Sequence, residues 1–128
     1  MNFSLTNDKL SETFLLNGDA LHQNDLYVAE LLEQGVKTLI YAGTNDFTCN
    51  WVGNEKWTLN MHWSGQDAYR NQPLREWQVD GTIVGKVRAY GNLTFATIYG
   101  AGHLVSYLVH LCICKPYTIC IRPLMISL

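Results

Sequence analysis

The stretch Thr38-Leu39-Ile40-Tyr41-Ala42-Gly43-Thr44-Asn45-Asp46-Phe47-Thr48-Cys49-Asn50-Trp51 limits what this chain can fold into more than any other. An apolar run stops at Gly43, and an acidic residue, Asp46, follows three positions later. A short apolar run bounded by glycine fits a strand covered on both faces, the environment of a parallel sheet. In open α/β sheets the working residues sit just beyond the carboxyl ends of such strands, which is the place Asp46 takes.

A second stretch complements the first. Leu93-Thr94-Phe95-Ala96-Thr97-Ile98-Tyr99 alternates and is rich in β-forming residues, and Gly100-Ala101-Gly102-His103 then puts a histidine directly after a strand. A carboxylate after one strand and a histidine after a later one are the two ends of a charge-stabilised imidazole. Their order along the chain, acid before base, is the one that follows a serine nucleophile in one large class of hydrolases.

The 128 residues fit one ordinary domain, and 48% hydrophobic with 16% charged residues reads as globular. A net charge of −2 provides no basic stripe, so nucleic-acid partners are excluded as a class. The first residues lack a basic flank and a sustained apolar core, and so carry no targeting signal of their own.

Taken in order, Met1–Leu16 is mixed, with Phe14-Leu15-Leu16 forming an apolar patch before the turn-like Asn17-Gly18-Asp19. Leu21, Val28, Leu31 and Leu32 at helical spacing predict a helix that starts near residue 20 or 25 and ends before Gly35. Asn50 to Met61 reads as a helix or helical turns, and Ser64 to Pro73 as a surface loop or short polar helix. Residues 75–79, 83–90 and 93–99 read as strands, the last two joined at Gly91-Asn92 as a hairpin. Two apolar segments near the end are interrupted by Lys115-Pro116 and Arg122-Pro123, and neither reaches the ~20 residues of a membrane-spanning helix.

The motifs Tyr41-Ala42-Gly43-Thr44-Asn45-Asp46-Phe47-Thr48-Cys49-Asn50-Trp51-Val52-Gly53-Asn54 and Gly100-Ala101-Gly102-His103-Leu104-Val105 closely resemble the C-terminal part of the serine carboxypeptidases. The resemblance runs from about Phe14 to Val105 in matching order. It implies an α/β fold, the C-terminal portion of an α/β-hydrolase, with an incomplete, mostly parallel sheet and flanking helices. It implies hydrolysis of the last peptide bond of peptides or proteins at acidic pH, in a vacuolar, lysosomal or secreted setting, without a cofactor. Asp46 matches the triad acid and His103 the triad base. Cys49 matches a cysteine near the substrate pocket, and Leu104 stands where the family usually has methionine.

The departures are equally informative. The family's nucleophile lies in a Gly-x-Ser-x-Gly elbow, and Ser4, Ser11, Ser64, Ser106 and Ser127 all lack the flanking glycines. After Val105 the family pattern stops, which marks residues 106–128 as a divergent apolar tail. The strand at Leu39 is expected to lack its inner neighbour, leaving a marginal, sticky product. A non-catalytic binding or structural protein that keeps part of the hydrolase scaffold is the competing class.

Other readings weigh less. Cys49 as a nucleophile beside His103 would make a cysteine hydrolase, but such a cysteine is more often a small apolar packing residue. His110, Cys112, Cys114 and Cys120 lack the paired Cys-x2-Cys knuckles of a zinc site, so no metal is expected. Asn92-Leu93-Thr94 and Asn2-Phe3-Ser4 are glycosylation sequons, and Asn92 would be accessible at a hairpin tip. His22 and His62 have no partner pattern, and Trp51, Trp57, Trp63 and Trp77 read as core or pocket walls.

Overall fold

A computed structural model describes residues 7–18 and 23–103, with the backbone of residues 124–125. Among the described residues the elements follow in the order α1 (Asp8–Leu16), α2 (Asn24–Glu33), β1 (Thr38–Gly43), α3 (Trp51–Asn60), α4 (Gln66–Arg70), β2 (Arg75–Val79), β3 (Thr82–Tyr90), β4 (Leu93–Ile98) and β5 (Leu124–Met125). The architecture is α/β, with a partial sheet and flanking helices. No helix among the described residues is long and apolar enough to cross a membrane.

The strand order is β2-β3-β4-β1-β5. β1 pairs in parallel with β4 along its whole length, Thr38 opposite Leu93 through Gly43 opposite Ile98. β3 is antiparallel to both β2 and β4 because tight turns join it to each. Among the described residues, parallel pairing is therefore confined to β1 and its two neighbours. On its other side β1 meets Leu124 and Met125, opposite Thr38 and Leu39. The expected lack of an inner neighbour thus needs correction at these two positions, where part of the tail supplies the missing pairing.

The core sits on one face of the sheet. Ile40 of β1 and Leu93 and Phe95 of β4 pack with Val28, Ala29 and Leu32 of α2, and with Met61 and Tyr69 from the α3–α4 region. Trp51, Trp57 and Trp63 close over this cluster, in keeping with core-wall roles. The other face carries a smaller cluster, Ile98 and Ala101, with Tyr41 and Trp77 partly buried against it. α2 buries the side that its 3.6-residue period presents to β1 and leaves Leu26 and Tyr27 exposed.

Two elements were not resolved by the sequence pattern. The mixed N-terminal region holds α1, capped by Asn7 Oδ1 accepting from Leu10 N at 3.1 Å. None of its residues is buried, so it has no buried apolar stripe for a pattern to show. The polar Ser64–Pro73 region contains α4, which is anchored by a single buried aromatic, Tyr69.

Candidate active site

Since β1 and β4 are parallel neighbours, their carboxyl ends open on the same edge of the sheet, and the loops that leave them meet. Three hydrogen bonds lace these loops together. Thr44 N donates to Ile98 O at 3.0 Å and Asn45 N to Ala101 O at 2.9 Å. Gly100 N donates to Thr44 Oγ1 at 2.9 Å. The approach is so close at Gly43 that a β-carbon there would collide with the Ala101 carbonyl. Only glycine lets the two backbones come this near.

The outcome is a contact between residues 57 positions apart: His103 Nδ1 lies 3.0 Å from Asp46 Oδ2. The other carboxylate oxygen, Oδ1, accepts from Cys49 N at 2.9 Å. The Asp46 side chain is 4% exposed and that of His103 58%, so the acid is sheltered while the imidazole reaches solvent.

The Cys49 backbone N–H is the main influence holding the Asp46 carboxyl below its ordinary value of 3.8. Burial pushes the other way, and the hydrogen bond and charge of His103, with the Thr48 N–H, add to the lowering. Hydrogen bonds to the charged form favour that form. An ionised carboxylate only accepts, so the proton between the two groups belongs to His103 Nδ1. Nε2 is then left as the basic nitrogen, the tautomer that a general base needs.

The remaining candidates are distributed as follows. Cys49 is half-buried beside the pair, and one donor atom each from Asp46, Cys49 and His103 fall within 4.8 Å of one another. This set of oxygen, sulfur and nitrogen could ligate a thiophilic divalent cation, although both Asp46 oxygens already accept hydrogen bonds. Asn92 lies at the opposite end of β4, in the β3–β4 turn, where its carbonyl accepts from Thr38 N at 2.8 Å. His62 is exposed. Leu104, Asn2, His22, His110, Cys112, Cys114 and Cys120 lie outside the described residues. Of the serines, Ser11 is in α1 and Ser64 precedes α4, where its N–H donates to Glu33 Oε1 at 2.6 Å. Sequence reasoning missed Thr44, whose hydroxyl ties the two loops together; a threonine after a strand-ending glycine is too common to single out.

Known proteins carry comparable chains. The sequence profile of the serine carboxypeptidase family matches residues 2–110. Carboxypeptidase Y of Candida albicans is 38% identical over 101 residues, 79% of this chain and 19% of that protein. A vacuolar serine-type carboxypeptidase of Saccharomyces cerevisiae is 39% identical over 108 residues, 83% of this chain and 21% of its own length. Among solved structures, a prohormone-processing carboxypeptidase from Saccharomyces cerevisiae superposes with a TM-score of 0.53 at 25% identity, covering 60% of this chain and 18% of the other. The chain thus spans about a fifth of the length of these curated relatives. A match over most of the chain, together with an acid and a histidine meeting at the carboxyl ends of paired parallel strands, leads to one conclusion: the chain belongs to the serine carboxypeptidase family.

Proposed function

We propose that this chain supplies the acid and the base of a serine-type carboxypeptidase site, Asp46 and His103, which act on the C-terminal bond of peptides. The observation that carries the reading is the 3.0 Å contact between His103 Nδ1 and Asp46 Oδ2 across 57 residues. A serine hydroxyl is a poor nucleophile until an imidazole takes its proton. Nε2 of His103 would accept that proton as the serine oxygen bonds to the scissile carbonyl carbon. It would then return the proton to the departing amino acid, and water would hydrolyse the acyl-serine by the same route. Asp46 holds the tautomer and stabilises the positive imidazolium. Its lowered proton affinity favours the ionised form that holds and charge-stabilises the imidazole.

Residues 14–105 carry the family-like portion in this reading, and 106–128 the divergent tail. Cys49 and Leu104 belong to the substrate pocket, and Asn92 is a glycosylation site if the chain enters the secretory route. The nucleophile must come from a Gly-x-Ser-x-Gly segment that these 128 residues do not contain. The chain by itself is therefore expected to be inactive on a blocked dipeptide. Hydrolysis by the chain alone that His103→Ala abolishes would overturn that expectation. Joined to a nucleophile-bearing portion of the domain, His103→Ala should lower kcat by about 10⁴–10⁶-fold with KM little changed. Unchanged kcat in that setting would remove His103 from the catalytic role.

A further inference from the structure

The loop that carries Asp46 is gripped from its far side by one side chain of α3. Asn54 Nδ2 donates to Cys49 O at 3.1 Å and to Asn50 O at 3.0 Å. Asn54 Oδ1 accepts from Trp57 Nε1 at 3.0 Å. A carboxamide carries both donor hydrogens and an acceptor oxygen, so a carboxylate or an alkyl group of the same size cannot make this set of bonds. The start of α3 does not need them, because Asn50 caps that helix itself, its Oδ1 accepting from Gly53 N at 2.8 Å. Trp57 is partly buried against the cluster of Val28, Ile40 and Phe95, which gives the Asn54 amide a fixed support.

Cys49 is thereby pinned at both ends of its backbone. Asn54 holds its carbonyl, while its N–H donates to Asp46 Oδ1 at 2.9 Å and leaves Oδ2 for His103 Nδ1 at 3.0 Å. A continuous path of hydrogen bonds and backbone therefore runs from Trp57 in the core through Asn54, Cys49 and Asp46 to the imidazole. We infer that Asn54 is a positioning residue, fixing the Cys49 backbone so that the Cys49 N–H turns the Asp46 carboxylate toward His103 Nδ1. The groups of a site keep their geometry only when the side chains behind them are locked by packing and hydrogen bonds. The same N–H is the main influence favouring the ionised Asp46, so loosening Cys49 weakens both the aim of the carboxylate and its charge. The inference rests on the proposed catalytic reading for its purpose, but not for its geometry.

The test compares the full chain with Asn54→Leu, which keeps the volume and removes the side-chain bonds, by NMR at neutral pH. One readout is hydrogen exchange at the Cys49 amide. The other is the pair of imidazole 15N shifts of His103, which report whether the proton sits on Nδ1 or Nε2. Exchange at Cys49 should rise about 10-fold while the β4 amides keep their protection. The share of His103 protonated on Nε2 should rise about 3–10-fold, as the hydrogen bond to Asp46 weakens. Trp57→Phe keeps an aromatic ring in the core and removes only the indole N–H, and should move both readouts the same way by about 2–5-fold. It gives the answer if Asn54→Leu does not fold. Thr58→Val loosens α3 elsewhere, at the hydroxyl that bonds Glu55 O and Tyr69, and should leave both readouts unchanged. Unaltered exchange at Cys49 in Asn54→Leu overturns the inference. So does faster exchange with an unaltered His103 tautomer, or the same changes in Thr58→Val, each being the mark of a merely structural role. Turnover is scored separately, in the chain joined to a nucleophile-bearing portion of the domain. If His103→Ala leaves kcat unchanged there while the tautomer still follows Asn54, the catalytic reading falls and the positioning role stands.

Discussion

Asp46 divides its work between two oxygens, Oδ1 on the Cys49 N–H and Oδ2 on His103, and the division sets what substitution and pH do to it. Folding lowers its proton affinity, so the unfolded chain binds more protons around the ordinary value of 3.8. Its contribution to stability is therefore complete above that value and is lost as pH falls through the lower folded one. Melting curves from pH 7 down to pH 2 should show this loss, and Asp46→Asn should flatten it. Thr44→Val removes the acceptor for Gly100 N and should cost about 1 kcal/mol by chemical denaturation. The meeting of Asp46 with His103 was legible because each follows a glycine that ends or closely follows a strand, and the two strands are neighbours. The Cys49 N–H and the Thr44 hydroxyl were not, since a loop's backbone donors and a lone threonine leave no period or spacing in a sequence.

The elements hold this site through contacts that cross the sheet. Trp77 on β2 reaches over Gly85 of β3 and donates its indole N–H to Thr97 O on β4 at 3.1 Å. A β-carbon at Gly85 would overlap that same carbonyl. Gly85→Ala should thus destabilise by about 1–3 kcal/mol, visible as a lower denaturation midpoint with an unchanged slope. Arg88 of β3 lies against Glu55 of α3, NH1 to Oε1 at 2.8 Å as an ion pair without hydrogen-bond alignment, and its guanidinium sits 5.8 Å from the Tyr69 ring centroid. Its Nε donates to Gln72 O at 2.9 Å. Glu55→Gln leaves a mostly buried cation short of its charge partner and should cost about 1–3 kcal/mol by the same measurement. The β3–β4 hairpin was readable from alternation around Gly91-Asn92. The parallel register of β1 on β4 was not, because it joins segments whose separation no local pattern encodes.

For the molecule as a whole, the balance of covered and uncovered apolar surface decides its behaviour. One face of the sheet closes over a connected cluster from α2 to β4, whereas Leu10, Phe14, Leu15 and Leu16 on α1 and Leu26 and Tyr27 on α2 remain exposed. Each large apolar side chain left in water forgoes roughly 1.5–3 kcal/mol of burial, and domain stability totals only about 5–15 kcal/mol. Several such omissions are enough to make an isolated fold marginal. α1 in particular has no buried residue to hold it to the sheet, so it should exchange its amides near the rate of an unstructured peptide while β4 stays protected. The chain in isolation should bind a hydrophobic dye and melt over a broad interval. Leu15→Lys with Leu16→Lys should reduce dye binding without lowering the melting midpoint, because both side chains are mostly solvated already. A sharp, dye-free melt of the unmodified monomer would show instead that these faces do not act as a liability, and that the cluster between α2, α3 and the sheet is sufficient by itself.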